Sequence, residues 1–207
     1  MPLFQAIFLG FLQGLTEFLP ISSSGHLVIF QKLFKITSPP IVFDTIVHLG
    51  TFVALILFLR KDIYRILKEF NKEKRLIISL IIGTMPIAIV GYLLKEKIEI
   101  LFNSFLLTGL SYLFTSFILF LTLLVKNFKK KLEEITFLDA LIVGFFQAIA
   151  ILPGVSRSGA TISACFFQKI KKEDAFKFSF FLGIIAICGA IIFHVPEISN
   201  VQRSRKI

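Results

Sequence analysis

The chain has 207 residues, 56% of them hydrophobic and 26 of them Phe, with a mean hydropathy of +0.85. A soluble domain of that size would leave too much apolar surface in water. The net charge of +10 does not point to nucleic acid, because nearly all the Lys and Arg fall between apolar runs, where basic residues anchor and orient membrane helices. The expectation is an all-α polytopic membrane protein.

In chain order, the first apolar stretch covers residues 3–30 and is interrupted by Pro20 and a Ser-Ser-Ser-Gly tract. It lacks a basic leader and contains Gln13 and Glu17, so it does not read as a secretion signal. The interruption splits it into two half-helices, neither able to cross a bilayer alone. Residues 41–59 form a first full span, with Asp44 and His48 one turn apart on one face near its start, a pair read as interfacial or supporting. Spans at 76–94 and 105–125 follow, each near the twenty or so residues a crossing needs. Glu133, Glu134 and Asp139 read as solvated loop charges. A second broken stretch, 137–167, is interrupted by Pro153-Gly154 and a Ser-Arg-Ser-Gly tract, and a last span at 178–195 leads to the polar tail SNVQRSRKI. Cys165 and Cys188 lie inside apolar runs and read as small core residues.

The two broken stretches resemble each other. Shifted by 134 positions, GFLQGLTEFLPISSSGHLV lies over GFFQAIAILPGVSRSGATI without a gap. Gly10/Gly144, Phe11/Phe145, Gln13/Gln147, Ser22/Ser156, Ser24/Ser158 and Gly25/Gly159 are identical, which marks an internal repeat. If each broken stretch enters and returns on one side, the three spans between them put the copies on opposite faces. The result is an inverted-topology repeat with two re-entrant helix pairs. The linkers expected on one side (60–75, 126–136 and 168–177) carry fifteen Lys and Arg, against seven on the other: Lys32, Lys35, Lys95, Lys97, Arg203, Arg205 and Lys206. The first set is therefore expected to be cytoplasmic. The repeats are assigned to residues 1–134 and 135–207 of one membrane domain.

Glu17, His26 and Arg157 are the ionisable residues well inside the broken stretches. Placing a charge in a bilayer costs about 2.5–3.5 kcal/mol on insertion scales, so such groups line a cavity or pair with one another. Each Ser-x-Ser-Gly tract precedes a half-helix, which puts hydroxyls and free backbone N–H groups at a helix N-terminus suited to phosphate. Gly25 and Gly159 permit close backbone approach, and Arg157 adds a forked donor for phosphate oxygens. Ser22, Ser23 or Ser24 could act as nucleophile with His26 as acid or base, and Glu17 could hold a magnesium or calcium ion. The alternatives are that the serines serve helix packing and that Glu17 and Arg157 form a structural ion pair. Gln13 and Gln147 are expected to satisfy backbone groups freed at the helix breaks.

At these motifs the sequence resembles the undecaprenyl-pyrophosphate phosphatase family, also called bacitracin-resistance proteins. QGLTEFLPISSSGHL (13–27) and LPGVSRSGATIS (152–163) are similar to its two signature segments, and FDTIVHLGT (43–51) to a third stretch. The resemblance implies hydrolysis of undecaprenyl diphosphate to the monophosphate, recycling the lipid carrier of peptidoglycan synthesis in the bacterial inner membrane, with the site open to the outer side. It implies Glu17, Ser23, His26 and Arg157 as catalytic residues. Gln13, Ser22, Ser24, Gly25, Ser156, Ser158 and Gly159 would contact substrate, and a magnesium or calcium ion would lie near Glu17. A homodimer is a candidate assembly. Family members usually continue for two further helices, so the second repeat is expected to lack its last two. Because broken helices meeting in mid-membrane are also a transporter pattern, a polyprenyl-phosphate flippase using the same loops is the rival reading, and a non-catalytic membrane component is a third.

Overall fold

The computed structural model describes residues 1–36, 41–94 and 97–204, the side chains at 41, 42, 98, 99, 103 and 192–204 excepted. Lys95, Arg205 and Lys206, three of the charges expected on the outer face, lie outside the described residues. Apart from one isolated bridge between Lys130 and Ile170, the regular elements of the described part are helices: α1 (Leu3–Thr16), α2 (Ser23–Leu33), α3 (Ile41–Phe58), α4 (Arg60–Lys68), α5 (Phe70–Leu93), α6 (Ile98–Asn103), α7 (Phe105–Thr122), α8 (Phe137–Ile149), α9 (Arg157–Phe167) and α10 (Lys172–Ser204).

Each full span expected from hydropathy is a helix, with shifted ends. Three helical segments are long and apolar enough to cross a membrane: Phe70–Leu93, Phe105–Thr122 and Lys172–Ile191. A fourth crossing exists if α3 and α4, bent by 65° at their junction, form one span. The protein is thus an all-helical, polytopic membrane protein. Hydropathy did not reveal α4, whose RKDIYRILK sequence is polar on average yet turns Ile63 and Ile66 towards the core. A helix also satisfies its backbone across the basic linker, where apolar periodicity is short. Beyond the apolar part of α10 the helix continues through the start of the polar tail.

Each broken stretch is a pair of short helices packed on each other, α1 with α2 and α8 with α9. α1 has 14 residues, α8 has 13, and α2 and α9 have 11 each, so none spans the ~30 Å hydrocarbon core at about 1.5 Å per residue.

The core lies on the second pair. α8 crosses α5 so closely that a Cβ on Gly144 would stand 2.6 Å from the Gly83 carbonyl oxygen and 3.0 Å from the Pro86 ring. The Gln147 amide donates to that same carbonyl at 3.2 Å, one turn before the proline that interrupts the backbone bonding of α5. Leu80, Val143, Phe178 and Leu182 bury their side chains around this crossing. Asp139 is not a solvated loop charge. It is 5% exposed, closes a capping box with Thr136 at the start of α8, and binds Lys130 at 2.8 and 2.9 Å. Burial is tolerated because both oxygens of this carboxylate accept hydrogen bonds, one from Lys130 and the other from Lys130 and Thr136. α1 and α7 instead present Leu3, Phe4, Phe11, Leu106 and Leu113 outwards, each at least two-thirds exposed, as lipid-facing surfaces do.

Candidate active site where the two serine loops meet

Both loops end in a serine N-cap. Ser22 Oγ accepts from Gly25 N at 3.3 Å at the start of α2, and Ser156 Oγ accepts from Gly159 N at 3.0 Å at the start of α9. In each, the capping hydroxyl also approaches the second serine, Ser22 to Ser24 at 3.3 Å and Ser156 to Ser158 at 3.2 Å. These bonds satisfy N–H groups that a helix start leaves without partners, and water in a bilayer cannot do so. The caps differ in backbone: Ser156 is extended at φ −73°, whereas Ser22 sits at φ +64°.

The loops touch. Ser158 Oγ donates to the Leu19 carbonyl at 3.0 Å. A Cβ on Gly159 would stand 3.3 Å from Pro20 Cβ. Arg157 Nη2 donates to Glu17 Oε1 at 2.5 Å. Thr115 on α7 supports the second loop, donating to the Gly154 carbonyl at 3.2 Å and accepting from Ser156 N at 3.1 Å. Gly154 itself has φ +94°, a conformation open to glycine. On the far side Gly183 of α10 lies directly against the Arg157 guanidinium, in space that a larger residue would take.

Glu17 is the centre of the arrangement. Its Oε2 accepts from Gln13 Nε2 at 2.9 Å and from Ser23 Oγ at 2.5 Å, and His48 Nε2 stands 3.9 Å away. The Glu17 side chain is 6% exposed and that of Arg157 15%. The buried Glu17 carboxylate is held by an arginine, an amide and a hydroxyl, and removing the arginine would leave it without its cation. Ser23 is therefore a hydroxyl whose proton already points at a base. His26 is turned by another set of contacts: its Nδ1 is 2.7 Å from the Ser22 carbonyl oxygen and 2.9 Å from the Tyr112 hydroxyl.

The structure thus brings Gln13, Glu17, Ser23 and Arg157 into one hydrogen-bonded cluster, with Ser22, Ser24, Gly25 and His26 on the adjoining turn of α2. Ser156, Ser158 and Gly159 lie at the seam, their polar groups committed to capping and to the first loop. Gln13 binds Glu17, and Gln147 binds the Gly83 carbonyl within α5, so neither bonds a group at the helix breaks. Asp44 and His48 do not pair through their side chains. The Asp44 carboxylate accepts from Gln31 at 2.6 Å, and His48 Nδ1 bonds the Asp44 backbone carbonyl at 2.7 Å, which leaves Nε2 facing Glu17. His48, Gln31, Tyr112 and Thr115 were not assigned to the site from sequence. His48 had a signal, its place in FDTIVHLGT; Tyr112 had none, being one aromatic in a Phe-rich span.

Two buried polar atoms of the cluster, Gln13 Oε1 and Arg157 Nη1, have no hydrogen-bond partner among the described residues. Such atoms mark where a ligand completes a site. Among the described residues no three His, Cys, Asp or Glu side chains gather as a metal site. The hard oxygens at hand are the Glu17 carboxylate, Gln13 Oε1 and Ser23 Oγ. That set fits a magnesium-like cation bound by one carboxylate and otherwise by phosphate oxygens and water.

Residues 6–206 match the profile of the bacitracin resistance protein BacA family. The chain is 47% identical over 189 residues, 91% of its length, to undecaprenyl-diphosphatase of Carboxydothermus hydrogenoformans, of which it covers 72%. It is 44% identical to undecaprenyl-diphosphatase of Halothermothrix orenii, covering 92% of this chain and 73% of that one. With undecaprenyl-diphosphatase 4 of Bacillus thuringiensis the identity is 41%, over 94% of this chain and 74% of the relative. A match of that length, taking in both serine loops and every helix between them, places the chain in the bacitracin resistance protein BacA family.

Proposed function

We propose that the protein hydrolyses undecaprenyl diphosphate to undecaprenyl phosphate and inorganic phosphate, returning the lipid carrier to peptidoglycan synthesis and conferring resistance to bacitracin. The observation that carries the reading is the Glu17 carboxylate, which bridges Ser23 of one loop and Arg157 of the other at 2.5 Å each. The names of the relatives support the substrate.

In this reading the diphosphate enters against the N-termini of α2 and α9 and takes the Arg157 guanidinium, Nη1 included, as its forked donor. Ser23 Oγ attacks the terminal phosphorus in line and its proton passes to Glu17 Oε2. The bond from that phosphorus to the bridging oxygen breaks, and undecaprenyl phosphate leaves. Water then attacks the phosphoserine and gives a proton to His26 Nε2, while the Ser23 oxygen leaves and takes back the proton held on Glu17, releasing phosphate with Ser23 restored. Glu17 and Gln13 Oε1 would hold magnesium or calcium, which would neutralise charge on the diphosphate. Ser22, Ser24, Gly25, Ser156, Ser158 and Gly159 shape the two loops around the phosphates.

The same reading takes residues 1–134 and 135–207 as inverted repeats, each opening with a re-entrant pair, α1/α2 from the outer face and α8/α9 from the cytoplasmic face. The internal repeat and the basic linkers support this placement. The site then opens to the outer side of the bacterial inner membrane.

Phosphate release from undecaprenyl diphosphate in detergent, with magnesium and with chelator, tests the proposal. Metal-dependent release by the wild type, lost in Ser23→Ala and cut sharply to a residual level in His26→Ala, is the expected outcome. Absence of release together with transfer of polyprenyl phosphate across vesicles would replace it with the transport reading.

A further inference from the structure

His26 is tied to a residue that belongs to neither loop. Its Nδ1 lies 2.7 Å from the Ser22 carbonyl oxygen and 2.9 Å from the hydroxyl of Tyr112, on α7. A carbonyl oxygen can only accept, so the Nδ1 atom carries the proton. The phenol oxygen then accepts from that same N–H, and the phenol's own proton is directed to the Ser22 carbonyl, 3.4 Å away. Imidazole, phenol and carbonyl close a ring in which every donor has an acceptor. The neutral imidazole is left with its lone pair on Nε2.

Packing enforces the ring. The His26 and Tyr112 rings meet edge to face with centroids 5.7 Å apart. A Cβ on Gly25 would stand 2.7 Å from the Tyr112 hydroxyl oxygen and 2.8 Å from Cζ, so glycine at this position admits the phenol. The need for Gly25 thus has a physical reason separate from phosphate approach: it seats the residue that holds His26.

We propose that Tyr112 is a positioning residue for the hydrolysis, holding His26 in the Nδ1–H tautomer with Nε2 free to take the proton of the attacking water. The inference rests on the role given to His26 above. Tyr112, on α7, lies outside the motifs of both loops.

Tyr112→Phe in the full chain, in detergent, tests it. With 15N-labelled histidine, wild-type His26 should show a protonated Nδ1 and a bare Nε2, and Tyr112→Phe should show mixed tautomers. Turnover should fall about fivefold to tenfold, the scale of one lost hydrogen bond, with KM within twofold. In the His26→Ala background the same substitution should change neither the residual turnover nor the melting temperature. A wild-type tautomer and turnover in Tyr112→Phe would overturn the proposal, as would an equal loss in the His26→Ala background. If the wild type releases no phosphate, or His26→Ala keeps full activity, the functional reading fails instead, and the tautomer measurement still decides whether Tyr112 holds His26.

Discussion

In both serine loops the first serine caps an eleven-residue helix and leans on the second, yet the loops stand in different surroundings. α9 is buried almost throughout, between α7, α8 and α10, and the hydroxyls of Ser156 and Ser158 are spent on Gly159 N and the Leu19 carbonyl. α2 is buried on one face, and Ser23 there faces a carboxylate instead of a backbone group. In the repeat alignment Glu17, Ser23 and His26 lie over Ile151, Arg157 and Ala160. The same turn has kept its caps in both copies and divided its chemistry. One copy supplies acid, hydroxyl and imidazole; the other supplies the cation and the packing that fixes it. A site made from a repeat therefore gains charge complementarity through the places where the copies differ.

The most damaging test of this division removes the cation. Arg157→Ala should reduce turnover by at least about a hundredfold, the scale of losing a preorganised charge donor. It should also lower stability by roughly 3–5 kcal/mol, because Glu17 would be left buried and unpaired. Glu17→Gln in the same background should recover stability and not turnover. Detergent melting curves and phosphate release separate the two effects, and an Arg157→Ala protein as stable as the wild type would break the account of the ion pair.

Next in size is a contrast of serines. Ser23→Ala should abolish turnover and cost about 1.5–3 kcal/mol, because it removes a hydroxyl from the buried Glu17 carboxylate. Ser158→Ala should keep most turnover and cost about 1 kcal/mol, for one lost hydrogen bond to Leu19. If the two behave alike, the loops are not divided as described.

Glycines sharpen the comparison further. Gly183→Ala pushes into the Arg157 guanidinium, and a displacement of about 1 Å should lower kcat/KM by up to a hundredfold. Gly144→Ala meets the Gly83 carbonyl and should cost about 1–3 kcal/mol by overpacking. Its repeat partner Gly10 would meet only Val47 at 3.8 Å, an ordinary contact, so Gly10→Ala should be close to neutral in thermal melts.

The smallest effect is a change of sign at the caps. Ser156, at φ −73°, has an unstrained backbone, and Ser156→Gly should destabilise by a few tenths of a kcal/mol. Ser22, at φ +64°, occupies a conformation that costs a non-glycine residue roughly 1 kcal/mol or more. Ser22→Gly should therefore be neutral or mildly stabilising. Equal losses at both caps would remove the backbone difference between the loops.

Sequence alone determined the membrane class, the helices of the three or four apolar spans, the two broken stretches and the polar residues inside them. Each is written locally: hydropathy over a window, a Pro-Gly interruption, a Ser-x-Ser-Gly tract ahead of an apolar half-helix. The pairing of Glu17 with Arg157 was open in sequence as one of two readings, since a bilayer demands partners for charges but does not say which. Only the tertiary structure decided that Ser23 is the serine on the carboxylate, that His48 reaches the same oxygen, and that Tyr112 holds His26. It also decided that Gln13 and Gln147, identical by position, bind a carboxylate and a carbonyl respectively, and that Asp139 is buried against Lys130. These are contacts between helices far apart in the chain, selected by which faces pack together, and no local pattern records them. The repeat made the two halves of the site legible; the packing of α5, α7 and α10 around them made the halves unequal.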